Sequence, residues 1–126
     1  MTDDIKRTIA VVDDDYRILQ SLESLLESAG HSVCLFRSGE SFWESGVLSK
    51  IDCLISDISM PGMDGFDLLK MIRLDRRNLP VILITGREEL MNARPPAELA
   101  PHYSFAKPFD GKKLLSAVSH ALSKPR

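Results

Sequence analysis

The sequence predicts an α/β fold, a five-stranded parallel sheet with helices on both faces. Short, β-branched, uninterrupted apolar runs such as "TIAVV" (8–12) and "PVILIT" (80–85) are the mark of strands buried on both sides. Amphipathic segments of helical spacing separate these runs, so strand and helix alternate about five times. There is no internal repeat, low-complexity tract or linker. Such alternation implies right-handed crossovers and one sheet covered on both faces.

Each element has its own signal. After "TIAVV", Ile18, Leu19, Leu22, Leu25, Leu26 and Ala29 recur at helical spacing, and Gly30 stops that helix. "HSVCLF" (31–36) is the second strand. "SGESFWESGVL" (38–48) is a short helix with Phe42, Trp43 and Val47 inward. "IDCLIS" (51–56) is the third strand, and "GFDLLKMIRLD" (65–75) is a helix with Phe66, Leu69 and Ile72 on one stripe. "PVILIT" is the fourth strand and "YSFAK" (103–107) the fifth. "DGKKLLSAVSHAL" (110–122) closes the chain as a helix, with Asp110 as N-cap and Leu114, Leu115, Val118, Ala121 and Leu122 inward.

Composition excludes several classes of function. At 126 residues, the chain is read as a single domain over 1–126 with one sizeable core. Its 44% apolar and 27% charged residues exclude a disordered tail. A net charge of −2 gives no electrostatic footprint for nucleic acid or an anionic membrane. No apolar run approaches the roughly 20 residues of a membrane span. "MTDDIKR" at the start is acidic and polar, unlike a signal peptide. Cys34 and Cys53 sit in apolar stretches without metal-type spacing, and are read as small core residues of a reduced, cytoplasmic protein. A disulfide or redox pair is the weaker alternative.

In open parallel sheets, ligands bind outside the carboxyl ends of the strands. Four of the five strands deliver polar chemistry there. The first ends at Asp13, Asp14 and Asp15, the third at Asp57, the fourth at Thr85 and the fifth at Lys107. Singly, each has an ordinary reading: a turn residue, a strand end, a solvated lysine. Asp15 is best read as the N-cap of the first helix, in preference to a metal role. Gathered at one sheet edge, the carboxylates cannot all stay ionised without a compensating cation. Oxygen ligands partly open to water suit Mg²⁺.

The motifs "VVDDD", "LISDISMPGMDG", "ILITG" and "FAKPF" resemble the receiver domain of bacterial two-component response regulators. The resemblance runs over nearly the whole chain and implies a flavodoxin-like sheet of order 2-1-3-4-5. It also implies roles. Asp57 would be the phosphoacceptor, a carboxylate nucleophile. Asp14 would ligate Mg²⁺, or another divalent cation such as Mn²⁺, directly. Asp13 would act mainly through water, and Asp57 and the Ser59 backbone carbonyl would complete the set. Thr85 would hydrogen-bond a phosphoryl oxygen, and Lys107 would pair with the phosphoryl group. Met60 and Pro61 would shape the loop, and Gly65 would let it pass close to the site. The Lys107–Pro108 bond resembles one that is cis in the family. The implied partners are a histidine kinase or phosphotransfer protein and an output domain or effector, with no nucleic acid or membrane contacted directly. A linker could begin at "SKPR" (123–126). The domain would catalyse at most its own phosphorylation and dephosphorylation.

The sequence departs from its family in two places. The position three before the lysine, usually aromatic, is Ser104, with Tyr103 and Phe105 beside it. Tyr103 would substitute only in a bulged strand. The fourth helix in chain order should occupy "REELMNARPPAELAPH" (87–102), and Pro95, Pro96 and Pro101 predict that it is shortened or irregular. Two other functions stand beside the main reading. One is a protein-binding receiver that needs no phosphorylation. The other is an aspartyl-nucleophile phosphatase using Asp13 and Asp15, which Arg17 and the lack of a cap segment disfavour.

Overall fold

Alternate residues of the three central strands divide between two apolar faces, and this division organises the molecule. A computed structural model describes residues 6–86 and 103–123. They form β1 (Thr8–Val12), α1 (Tyr16–Ser28), β2 (Ser32–Phe36), α2 (Gly39–Ser45), a 3-10 turn (Val47–Lys50), β3 (Cys53–Asp57), α3 (Gly65–Asp75), β4 (Val81–Thr85), β5 (Tyr103–Ala106) and α4 (Gly111–Leu122). All neighbouring strands are parallel, in the order β2-β1-β3-β4-β5. The helix expected over 87–102 lies outside the described residues.

Ala10, Val12, Leu54, Val81 and Leu83 turn to one face, where Phe42 of α2 and Leu68, Leu69 and Ile72 of α3 cover them. Ile9, Val11, Cys53, Ile55, Ile82 and Ile84 turn to the other, under Leu19, Leu22 and Leu26 of α1 and Leu114, Ala117 and Val118 of α4. The three central strands are thus buried on both sides, as their unbroken apolar runs require.

Helix ends follow local chemistry. Asp15 caps α1, accepting from Arg17 N–H at 2.9 Å. Asp110 caps α4 through the N–H groups of Lys112 and Lys113. Asp64 and Asp67 form a reciprocal capping box at α3. Two elements depart from the sequence reading by more than one residue at an end. The helix expected over 38–48 breaks after Ser45, because Gly46 adopts a left-handed φ of 75° and the chain continues as the 3-10 turn. The third strand starts two residues late, at Cys53, and ends one residue late, on Asp57 itself. Asp52 stands before the strand, and its Oδ2 accepts from Thr8 N–H at 2.9 Å.

Both cysteines are free. Cys53 is core, and burial pushes its thiol up to about 12. Cys34 is only partly buried, because β2 is an edge strand. No described helix is long and apolar enough to cross a membrane.

Candidate functional site

The alternation that sorts the core also assembles the site. Asp13 continues the set Ile9, Val11; Asp57 continues Cys53, Ile55; Lys107 continues Tyr103, Phe105. β1 and β3 are paired Val12 to Ser56, so their next residues, Asp13 and Asp57, arrive side by side. Lys107 reaches them from beyond β5. Its Nζ lies 3.0 Å from Asp13 Oδ2 and 3.5 Å from Asp57 Oδ1. Its backbone N–H donates to the Thr85 carbonyl at 2.7 Å, tying the ends of β4 and β5 together. The Lys107–Pro108 bond is cis.

Burial is severe for these charges. Asp13 is 0% and Asp57 4% exposed, and Thr85 is buried at 1%. Asp13 Oδ1 accepts from Asp15 N–H at 2.9 Å. Outside the ion pair with Lys107, Asp13 Oδ2 and Asp57 Oδ1 meet no hydrogen-bond donor among the described residues. Burial first, and then the charge of Asp13, push the Asp57 carboxyl up to about 6, against the opposing pull of Lys107. Asp13 is also raised by burial, despite its bonds to Asp15 and Lys107. Burial alone would lower the lysine, but the two carboxylates outweigh it and hold Lys107 above its ordinary value.

Ligand oxygens of Asp13, Asp14 and Asp57 lie within 4.8 Å of one another. Asp14 is the exposed member, open to water. Two under-bonded buried carboxylate oxygens beside an accessible third carboxylate fit a hard divalent cation that keeps part of its water. Asp15 is absent from the cluster because its carboxylate caps α1. Ser59 follows in the β3–α3 connection, two residues beyond Asp57. At Gly65 a Cβ would stand 2.5 Å from the Asp57 carbonyl oxygen and 2.8 Å from Ile58 Cα, so only glycine allows this approach.

Tyr103 does not replace the missing aromatic. β5 pairs with β4 in unbroken register from Tyr103 to Ala106, so there is no bulge. Tyr103 packs with the α1–α4 core and its hydroxyl bonds His120 Nδ1 on α4. Ser104 projects from the alternate set and is exposed.

Two contributors escape sequence reasoning. Ser56 is fully buried, and its hydroxyl donates to the Asp57 carbonyl at 2.9 Å. A polar residue inside the apolar run "CLISD" was the available signal. Arg37, after β2, reaches the Asp14 carbonyl at 3.4 Å and lies over the Tyr16 ring, 5.9 Å from its centroid.

Comparison with known proteins decides the family. A model of the response regulator receiver domain matches residues 9–119. The chain belongs to this family. It is 36% identical over 94% of its length to the DNA-binding transcriptional regulator NtrC of Bradyrhizobium sp., covering 25% of that protein. It is 32% identical over 93% of its length to the transcriptional regulatory protein FixJ of Bradyrhizobium diazoefficiens, covering 57%. The receiver thus spans between a quarter and somewhat over half of these curated relatives. Among solved structures, a response regulator receiver domain protein from Clostridium thermocellum superposes with a TM-score of 0.82 at 29% identity, covering 92% of this chain and 94% of that one. The BeF3-activated DrrB receiver domain gives 0.85 at 28% identity, covering 95% and 100%.

Proposed function

We propose that this receiver accepts a phosphoryl group on Asp57 in a reaction that requires a divalent cation, and thereby changes its affinity for a protein partner. One observation carries the reading: the buried Asp57 carboxylate is clustered with those of Asp13 and Asp14, and Lys107 bridges Asp57 and Asp13. Asp57 attacks the phosphorus of a phosphohistidine on a histidine kinase or phosphotransfer protein. The new O–P bond forms as the P–N bond breaks, and the electron pair leaves with the imidazole nitrogen, which keeps or takes up a proton. Lys107 pairs with the transferred group, and Thr85 donates a hydrogen bond to one of its oxygens. Asp14, Asp57 and the Ser59 carbonyl would hold Mg²⁺ or Mn²⁺, with Asp13 acting mainly through water. When bound there, the cation would supply charge neutralisation for the phosphoryl group.

Residues 1–126 act as one phosphoacceptor domain in the cytoplasm, and the response is read by an output domain or separate effector. The new bonds to Lys107 and Thr85 distinguish the two conformations, which is the differential interaction a switch needs. The phosphatase alternative loses its second acid, since the Asp15 carboxylate is committed to the α1 cap.

The test is acetyl phosphate with Mg²⁺, read by mass spectrometry. One phosphoryl group on Asp57, absent in Asp57→Asn and in EDTA, is the expected result. Residual labelling of Asp57→Asn, or full labelling in EDTA, overturns the assignment.

A further inference from the structure

The β3–α3 connection that carries Ser59 is pinned at both ends. Ile58 N–H donates to the Ile84 carbonyl at 2.8 Å, and Gly65 N–H returns to the Ile58 carbonyl at 2.9 Å. Asp64 and Asp67 fix the far end through their capping box. Between those anchors the loop is held from another element. Glu40, in the first turn of α2, accepts from Met63 N–H through Oε2 at 3.0 Å.

The contact is fitted on both sides. Gly62 adopts a left-handed φ of 73°, and a Cβ there would stand 2.6 Å from Glu40 Oε2. At buried Gly39, a Cβ would stand 3.1 Å from Met63 Sδ and 3.2 Å from the Met63 carbonyl oxygen. A side chain at Gly62 would therefore displace the Glu40 carboxylate, and one at Gly39 would crowd Met63. The Glu40 carboxylate fills the space left at Gly62, and a charged acceptor makes the stronger kind of hydrogen bond.

We infer that Glu40 is a positioning residue for the divalent-cation site, holding the loop that carries the Ser59 carbonyl and so coupling α2 to cation occupancy. The inference rests on the reading of Ser59 as a ligand given above. The coupling is reciprocal: a cation that orders the loop strengthens the Glu40–Met63 bond, and loss of the bond weakens the cation. Trp43, the chain's single tryptophan, lies in the same helix and packs against the core beneath it, so it offers an optical report.

The experiment titrates the full chain with Mg²⁺ alone, following Trp43 fluorescence and amide exchange of residues 59–63. Wild type is compared with Glu40→Ala, Glu40→Gln and Asp14→Ala. Glu40→Ala should bind Mg²⁺ more weakly by about fivefold, short of the roughly tenfold loss of a direct partner of a metal ligand, because its exposed bond is to Met63 and not to Ser59 itself. It should also exchange faster at Met63. Glu40→Gln should stay within about threefold of wild type, since its amide oxygen accepts the same bond. Asp14→Ala should lose binding. Wild-type affinity in Glu40→Ala alongside a lost site in Asp14→Ala overturns this inference alone. Equal weakening in Gln and Ala also overturns it, because charge rather than the bond would then be responsible. A wild-type protein that binds no Mg²⁺ overturns the cation site itself, and this inference with it.

Discussion

Gly65 stands against the main chain of Asp57 so closely that a Cβ would meet the Asp57 carbonyl oxygen at 2.5 Å. The opposing atoms are backbone, so no side chain can swing aside. The same carbonyl accepts from the buried Ser56 hydroxyl, which limits its freedom to shift. Gly65→Ala should therefore destabilise the fold by about 1–3 kcal/mol through overpacking and displace Asp57 at the same time. Urea denaturation and acetyl phosphate labelling should both register the change. A variant with wild-type stability and labelling would contradict this account of the β3–α3 turn.

Asp57 makes folding depend on pH in a direction opposite to that of most carboxylates. Its folded value of about 6 lies above the ordinary 3.8, so the folded state holds the proton more tightly. Without a divalent cation, stability should fall as pH rises from about 4 to about 6 and stay lowered above that. Asp57→Asn cannot ionise. It should be more stable than wild type by on the order of 1–3 kcal/mol at about pH 7.5, with the gain vanishing near pH 4. Thermal melts of both proteins in EDTA across that range give the measurement. A gain that persists unchanged at pH 4 would mean that packing, not charge, is responsible.

A divalent cation should reverse this penalty. Bound to the folded state alone, it stabilises by about 2.7 kcal/mol at a hundredfold excess over its dissociation constant. Because it competes with protons on Asp57 and Asp13, whose values are both raised, its apparent affinity should drop as pH falls through about 6. Asp14→Ala should weaken binding more than Asp13→Ala. Asp13 already bonds Asp15 N–H and Lys107, whereas Asp14 is open to water. Calorimetric Mg²⁺ titrations of the two variants test the order, and equal losses would refute it.

The sheet was legible because unbroken β-branched runs separated by segments of helical spacing are local signals. The meeting of Asp13, Asp57 and Lys107 was legible because strand ends in a parallel sheet converge, so these residues could be placed together without knowing any distance. Boundaries were less so. Asp57 falls within β3 rather than after it because it pairs with Ile84 of β4, a long-range register that no local pattern reports. Gly46 breaks α2 through its own φ, a signal that the apolar stripe of Phe42, Trp43 and Val47 concealed. The clip of Glu40 on Met63 was invisible for another reason: it joins residues distant in sequence through one backbone N–H, which leaves no pattern of side chains. Whether Tyr103 could serve as the aromatic turned on register, and an unbroken ladder with β4 puts it on the α4 side.

Lys107 is the cation that allows Asp13 and Asp57 to stand together in the absence of metal. Removing it leaves two buried carboxylates facing one another without compensation. Lys107→Ala should cost about 2–4 kcal/mol at about pH 7.5, since breaking a buried pair strands its partner. The sign follows from the same linkage. The Asp57 value should rise further above about 6, so the loss should shrink as pH falls below about 6, where Asp57 takes up its proton in wild type and variant alike. Labelling by acetyl phosphate should survive, because the lysine supplies neither the nucleophile nor a cation ligand, but its pH profile should move upward. The conformational response should not survive, since the contact that distinguishes the phosphorylated state is gone. Thr85→Ala should share the lost response without the shifted pH profile, because Thr85 carries no charge. Amide NMR spectra before and after phosphorylation separate these outcomes. A wild-type pattern of phosphorylation-dependent shifts in both variants would show that the switch runs through other residues.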